Sequence, residues 1–160
     1  MRGAVLFAAG LIVGLAVHVA IAQNNSGVEM MNHVAFNVPN IEEAVTHYTQ
    51  KMGYREAFRA KNPDGTTRLV YLQISRNTFM ELQPANTPQR PAGFSHYGLV
   101  VNSTPDAVAR FRKNGLTVSD PNTSDTKAVL ANITDPYVGR IELAQLTPES
   151  LHYKAIQSWK

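Results

Sequence analysis

An internal repeat constrains the fold of this chain more than any other feature of its sequence. Residues 32–38 (NHVAFNV) and 95–101 (SHYGLVV) are both short alternating segments with histidine as their second residue. Residues 79–83 (FMELQ) and 140–144 (RIELA) form a second pair, in which glutamate is the third residue. Because the two pairs recur in the same order, we expect two copies of one supersecondary unit.

Each copy has the pattern of a strand, a helix and three further strands. Asn40 is predicted to cap the first helix, and Thr104 the second, with Pro105 at its first helical position. Alternating strands at residues 67–75 and 128–134 precede the two glutamate strands. The sequence therefore predicts an α+β fold of two tandem βαβββ modules that form one mixed sheet.

The repeat also sets the predicted domain boundaries. The first module is expected to span residues 31–83 and the second residues 95–146, joined by a proline-rich linker within one domain over 31–146. Residues 23–30 form a segment before this domain. The tail, residues 147–160, is expected to contain a short helix.

The first residues carry the pattern of a secretory signal peptide. Arg2 gives a positive start, residues 4–22 are apolar apart from His18, and residues 20–22 (AIA) offer a small-x-small cleavage site. We expect residues 1–22 to be removed and the protein to be secreted or periplasmic. An uncleaved membrane anchor is the alternative, because the apolar segment approaches spanning length.

The composition excludes several classes of protein. The 160 residues include no cysteine, which excludes a disulfide framework and a zinc–cysteine site. Lys and Arg number 15 against 12 Asp and Glu, without a basic run, so nucleic acid is not an expected partner. A small-molecule substrate is the expected partner, with no membrane association once the signal peptide is removed.

Strand alternation places one histidine and one glutamate of each copy on the same face of the sheet. The apolar residues beside them should face the helices, which leaves His33, His96, Glu81 and Glu142 on the opposite face. Two neutral imidazoles and two carboxylates suit a divalent metal ion such as Zn, Ni, Mn, Fe or Co. The alternative is that the duplicated pairs form buried His–Glu hydrogen bonds without a metal.

These segments resemble the vicinal oxygen chelate superfamily, the glyoxalase, bleomycin resistance and dioxygenase domain proteins, which also include methylmalonyl-CoA epimerase. The resemblance covers about residues 31–146 and depends on the two histidine segments, residues 48–54, residues 79–82 and residues 135–143. It implies a U-shaped or barrel-like sheet around a metal cavity, built from paired βαβββ modules.

The order His33, Glu81, His96, Glu142 is similar to the His/Glu/His/Glu ligand set of glyoxalase I. The resemblance implies a metal-dependent glyoxalase-like lyase or isomerase that acts on a small substrate with vicinal oxygens through a metal-stabilised enediolate. It also implies that a carboxylate moves the proton between carbons, with Glu142 as the first candidate and Glu81 as the second.

Two positions differ from the pattern of bacterial glyoxalase I. Asn37 stands where that enzyme usually has arginine, and Ala85 stands where it often has asparagine. The differences indicate a substrate other than a glutathione adduct. Asn37, Tyr71, Gln73 and Arg140 are candidate substrate-binding residues.

Other histidines and arginines do not follow the repeat. His47 and His152 are interpreted as structural or exposed residues, and Arg55, Arg59 and Arg68 either hold an anionic substrate or lie on a solvated face.

Two other functions fit the same fold. One is a non-catalytic protein that binds or sequesters a small molecule in the cavity. The other is an extradiol-type dioxygenase, which Glu81 disfavours because those enzymes usually have histidine at that place. A homodimer that pairs modules between chains is an alternative to a site formed within one chain.

Overall fold

The computed structural model describes residues 27–160. The first module contains β1 Val28–Val38, α1 Ile41–Gln50, β2 Arg55–Lys61, β3 Thr67–Ser75 and β4 Thr78–Pro84. The second contains β5 Gly93–Val101, α2 Thr104–Lys113, β6 Thr117–Val118, β7 Asn122–Thr123, β8 Val129–Asp135 and β9 Gly139–Gln145, and α3 Leu151–Gln157 follows. The predicted signal peptide, residues 1–22, lies outside the described residues.

All nine strands of the described chain belong to one curled mixed sheet. The strand order is β2-β3-β4-β1-β5-β9-β8-β6, and β7 pairs with β8. At the centre, β1 and β5 are antiparallel neighbours, while β4 runs parallel to β1 and β9 runs parallel to β5. The α+β fold with its mixed sheet is therefore as predicted, and each glutamate strand lies beside the histidine strand of its own module.

The two predicted helices form, but one predicted cap is wrong. Asn40 caps α1 by accepting a hydrogen bond from a backbone N–H. The cap of α2 is Ser103 rather than Thr104. The hydroxyl of Thr104 instead donates to the Val129 carbonyl at 2.8 Å, which ties the helix start to β8. Either hydroxyl satisfies the local capping pattern, so the tertiary contact decides between them.

The outer strand of the second module differs from that of the first. Where the first module has the seven-residue β2, the second has the two-residue strands β6 and β7. Pro121 lies between these two pieces and has no N–H to donate to a neighbouring strand, which favours a break there.

Helices cover both faces of the first half of the sheet. On β3, Val70 and Leu72 belong to the core beneath α1, whereas Leu69 and Tyr71 point to the other face and pack with Ala155 of α3. The corresponding cluster of the second half lies under α2. The C-terminal helix therefore covers part of the face that was predicted to carry the acids and histidines of the repeat.

None of the helices within residues 27–160 has the length and apolar character needed to cross a membrane.

Candidate metal centre

The central strand pair brings the two repeat histidines into contact. In the β1–β5 register, Ala35 pairs with His96 and His33 pairs with Gly98. Both imidazoles are buried, and their Nε2 atoms lie 3.2 Å apart. Two residues that are 63 positions apart in the sequence thus meet because their strands are neighbours in the sheet.

The residue that precedes each histidine orients its ring. Asn32 Oδ1 lies 3.1 Å from His33 Nδ1, and Ser95 Oγ lies 3.1 Å from His96 Nδ1. The amide nitrogen of Asn32 donates to the backbone of Asn77, so its Oδ1 is the atom that faces His33 and accepts from Nδ1–H. This tautomer leaves Nε2 of His33, the atom that faces His96, without a proton, which is the usual arrangement around metal-binding histidines.

Gly98 is the residue that makes room for His33. A Cβ built at Gly98 would lie 2.1 Å from His33 Cε1 and 2.4 Å from Nδ1, closer than side-chain atoms pack. Any other residue at this position would displace the imidazole. Gly98 is the residue of the second copy that corresponds to Ala35 of the first. The ring of His33 occupies the space that a side chain at this position would fill.

The two glutamate strands complete the cluster from either side. Glu81 on β4 pairs with Ala35, and Glu142 on β9 pairs with Gly98. The Glu81 Oε2 atom lies 3.5 Å from His33 Nε2 and 3.3 Å from His96 Nε2. The Glu142 Oε1 atom lies 3.7 Å from His33 Nε2. All four predicted ligands therefore meet in one buried cluster.

Three of these side chains converge as a potential ligand set. One donor atom from each of His33, His96 and Glu142 lies within 4.8 Å of the other two. Glu81 contacts both imidazoles but does not belong to this mutual group. A mixed set of imidazole nitrogen and carboxylate oxygen suits divalent transition metals. Burial lowers the pKa of His33 to about 3, with further lowering from His96, so its imidazole is neutral and fit to coordinate an ion.

The two carboxyl groups differ in their protonation. For Glu81, burial opposes ionisation, but hydrogen bonding to His96, the neighbouring imidazoles and Gln83 outweigh it and lower the pKa to about 2. For Glu142, burial and the charge of Glu81 raise the pKa to about 8, with opposition from Arg140. Glu81 is therefore an anion at neutral pH, whereas Glu142 holds a proton that a bound cation would displace.

Tyr71 and Gln83 hold the carboxylate of Glu81 in place. The Tyr71 hydroxyl donates to Glu81 Oε2 at 2.7 Å, and the Gln83 amide donates to Oε1 at 2.5 Å. Burial raises the pKa of Tyr71 well above its usual value, and the nearby carboxylates add to this, so the hydroxyl keeps its proton. Sequence reasoning placed Tyr71 near the site but missed Gln83, although strand alternation puts it on the same face as Glu81.

Gln73 does not take part in the cluster, contrary to its interpretation as a substrate-binding residue. Its amide oxygen accepts from Arg55 Nε at 3.1 Å, and its amide nitrogen donates to the Arg76 carbonyl at 2.8 Å. Arg55 continues to the Ala155 carbonyl of α3 at 2.9 Å. Gln73 thus joins β3 to the C-terminal helix, a contact between distant segments that no local pattern indicates.

Asn37 and Arg140 border the cluster on the side that faces solvent. The Asn37 amide donates to the Pro91 carbonyl at 3.0 Å, which ties β1 to the linker. A guanidinium nitrogen of Arg140 contacts the His96 ring at Nδ1 and lies 3.2 Å from Nε2. Both residues line a cleft on this side of the cluster, and their role in substrate binding stays a prediction.

His152 lies beside the cluster, which the sequence pattern did not indicate. It is buried on α3, with its ring stacked 6.3 Å from that of His33 and edge-to-face with that of Tyr71 at 4.4 Å. Neither ring nitrogen has a hydrogen-bond partner among the described residues, and burial lowers its pKa to about 4. His152 closes the α3 side of the cluster. In contrast, His47 lies exposed on α1, as interpreted.

A cleft of about 610 Å³ opens onto the other side of the cluster. It is lined by Gln83, Ser95 and Arg140, which contact the glutamate and histidine ligands, and by residues of the linker between the modules.

The sequence matches one protein-family model, described as the Glyoxalase/Bleomycin resistance protein/Dioxygenase superfamily, over residues 30–143. No curated protein sequence matches this chain significantly.

Solved structures share the fold at low sequence identity. The Mycobacterium tuberculosis methylmalonyl-CoA epimerase is 18% identical, with a TM-score of 0.67 over 78% of this chain and 92% of its own. A Streptomyces coelicolor methylmalonyl-CoA epimerase variant in complex with 2-nitronate-propionyl-CoA is 14% identical, with a TM-score of 0.66 over 77% and 98%. A hypothetical protein from Bacillus halodurans is 17% identical, with a TM-score of 0.62 over 74% and 94%.

Proposed function

Because the chain belongs to the glyoxalase/bleomycin resistance protein/dioxygenase superfamily, we propose that it is a metal-dependent enzyme of the glyoxalase-like lyase or isomerase type. Within that type we favour an isomerase that removes and returns a proton at a carbon next to a carbonyl group. The convergence of His33, His96 and Glu142, with donor atoms within 4.8 Å of one another, is the observation that carries this proposal.

His33, His96 and Glu142 would hold the ion, and Glu81 is the fourth candidate ligand because it lies within 3.5 Å of both imidazoles. A divalent ion at these residues would polarise a substrate carbonyl and lower the pKa of the neighbouring C–H. Asn32 and Ser95 keep the ring nitrogens directed at this centre. Glu81 and Glu142 together balance the charge of such an ion.

Glu142 is the residue best suited to accept and return the substrate proton. Among the described residues, His33 Nε2 at 3.7 Å is its only close polar contact, so the carboxyl group is not fixed by hydrogen bonds. In the ion-free site, burial and the charge of Glu81 raise its pKa to about 8. A bound ion would displace that proton and leave a carboxylate that can accept one from the substrate. Glu81 is held by Tyr71 and Gln83 and serves as a fixed charge.

The reactions of structural neighbours support the choice of isomerase. Two of the similar structures are methylmalonyl-CoA epimerases. An epimerase inverts one centre, and inversion at a C–H centre requires a proton to leave and return. We take this reaction class, rather than the substrate of those enzymes, as the model for the present chain.

Metal titration of the purified protein tests the first part of the proposal. After treatment with a chelator, we expect the protein to bind about one Co²⁺, Zn²⁺, Ni²⁺ or Mn²⁺ ion per chain. His96→Ala should abolish or strongly weaken binding, while the matched control His47→Ala, at an exposed helix position, should not. Equal binding by the two variants, with far-UV circular dichroism showing both folded, would contradict the proposed centre.

Proton exchange tests the second part. The metal-loaded protein is incubated in D₂O with a panel of 2-hydroxy and 2-methyl carbonyl compounds, and loss of the C–H signal is followed by NMR. We expect metal-dependent exchange in at least one compound. Metal binding without exchange in any compound would favour the alternative, a protein that sequesters a small ligand.

Export of the protein is a separate proposal that depends on the sequence of residues 1–22 alone. If the signal peptide is removed, mass spectrometry of the protein from its native host should find a chain that begins at Gln23. A chain that retains residues 1–22 would contradict cleavage. The homodimer also stays a prediction, which the mass of the protein in solution would test.

A further inference from the structure

The cleft over the candidate metal centre carries positive charge and no carboxylate. Three arginines line it, Arg68, Arg90 and Arg140, and the other polar side chains within the described part of the lining are amides and the Ser95 hydroxyl. The absence of any acidic residue from this lining contrasts with the interior of the cluster behind it, which contains two glutamates.

Two of these three arginines form no ion pair within the described residues, 27–160. Arg68 forms an ion pair with Asp125, so that pair is close to neutral. Arg90 is exposed on the linker, and within residues 27–160 its side chain forms no ion pair. Arg140 lies against the His96 ring, and within residues 27–160 it forms no ion pair, although its charge opposes the rise in the pKa of Glu142.

The charge of the cluster itself does not compensate for Arg90 and Arg140. When the centre holds a divalent ion, the carboxylates of Glu81 and Glu142 balance that ion. The loaded site then leaves the cleft with a net charge of about +2, within a concave surface that focuses the field on its contents. This balance favours a ligand that is itself an anion.

From this arrangement we infer that the cleft binds a substrate with an anionic oxygen group, a carboxylate or a phosphate, in addition to the oxygens that would reach the metal. Arg140 contacts this anionic group close to the metal centre, and Arg90 attracts the same group at the rim of the cleft. The inference depends on the proposed function and names its substrate class. Guanidinium groups suit this role because their planar N–H donors match carboxylate and phosphate oxygens.

The cleft volume of about 610 Å³ sets a second limit on the substrate. It lies in the range typical of pockets for whole small molecules, roughly 300–1,000 Å³. A two- or three-carbon acid would leave most of this space to water. We therefore expect the anionic group to be one part of a larger molecule that extends from the centre toward the linker.

An NMR titration of the purified protein with matched small probes tests the inference. Succinate supplies the carboxylate arm, glycerol 3-phosphate the phosphate arm, and succinamide and glycerol are their uncharged counterparts. We expect at least one anion to bind more tightly than its neutral counterpart, and the tighter anion identifies the group. Equal binding of anions and neutral probes, or no binding of either anion up to roughly 10 mM, overturns the inference.

Charge removal at the rim provides the residue-level test. Arg90→Gln should weaken the preferred anion by about two- to fivefold, as expected for an exposed ion pair. Arg140→Gln should weaken it by roughly tenfold or more, because this half-buried group contacts the ligand with less screening. Arg76→Gln is the matched control, since Arg76 is exposed but does not line the cleft. An equal effect of Arg76→Gln and Arg90→Gln overturns the assignment.

The titration is performed on metal-free and metal-loaded protein. Failure of the anion site can then be distinguished from failure of the proposed enzyme function. Anion binding that depends on Arg90, in a protein that binds no metal, supports the anion site and contradicts the proposed enzyme. Metal-dependent proton exchange without any preference for anions supports the enzyme and overturns the anion site. Metal content is measured for Arg140→Gln, because this residue touches His96.

Discussion

Glu81 and Glu142 hold the same place in the two halves of the repeat, yet their surroundings are opposite. Glu81 accepts hydrogen bonds from Tyr71 and Gln83, and although burial opposes its charge, its neighbours lower its pKa to about 2. Within residues 27–160, Glu142 has His33 as its one close polar neighbour, and burial raises its pKa to about 8. The two halves of the repeat therefore contain one carboxylate held by hydrogen bonds and one carboxyl group that is protonated at neutral pH.

The difference arises from the residues around each acid rather than from the acids themselves. On the neighbouring strand, the first acid faces Tyr71 and the second faces Asn132. Two residues after the acid, the first half has Gln83 and the second has Ala144. Neither Asn132 nor Ala144 donates a hydrogen bond to its acid, so the second half lacks both donors. A repeat thus predicts the ligand type, while the neighbouring positions decide its protonation.

The largest expected effect comes from removing each acid in turn. Glu142→Gln should lower metal-dependent proton exchange by roughly 100-fold or more, because it removes the group that we propose as the proton carrier. Glu81→Gln should leave more of this exchange, since its role is that of a fixed charge. The measurement is the exchange rate by NMR, corrected for metal content.

Glu149→Gln is the control for this pair, because Glu149 is exposed outside the cluster. It should leave the exchange rate unchanged. If Glu81→Gln and Glu142→Gln lose equal activity at equal metal content, the two acids share one role and the comparison fails.

The sequence predicted the fold and the four cluster residues because both depend on periodicity. Alternation assigns a face to each strand residue, and the repeat fixes which residues correspond, so His33 and Glu142 could be grouped without coordinates. Contacts between distant strands could not be found in this way. The gap at Gly98, the burial of His152 under α3 and the Gln73–Arg55 link each depend on tertiary packing.

Tyr71→Phe should make the surroundings of Glu81 more like those of Glu142. The change removes one hydroxyl that donates to a buried carboxylate at 2.7 Å. A hydrogen bond to a charged group contributes about 1.5–3 kcal/mol, and we expect the free energy of unfolding of the metal-free protein to fall by that amount. Denaturant unfolding at pH 7 measures it.

Tyr137→Phe is the matched control for the hydroxyl, since Tyr137 is 92% exposed. Its stability should equal that of the unchanged protein. If Tyr71→Phe is as stable as Tyr137→Phe, the hydroxyl of Tyr71 does not hold Glu81, and the contrast between the two acids must have another origin.

The smallest expected effect is a pH dependence of metal affinity that arises from one acid alone. A bound ion must displace the proton of Glu142, whose pKa is raised to about 8, whereas Glu81 is already ionised and His33 is already neutral at pH 7. Affinity should therefore increase by roughly tenfold between pH 7 and pH 9 and level off above that range. Competition with a chromophoric chelator, corrected for the chelator's own protonation, measures the change.

Glu142→Gln should bind the metal ion more weakly and lose this pH dependence, while Glu149→Gln should keep it. A slope that persists in Glu142→Gln would mean that the displaced proton belongs to another group, and the two acids would then differ in hydrogen bonding but not in protonation.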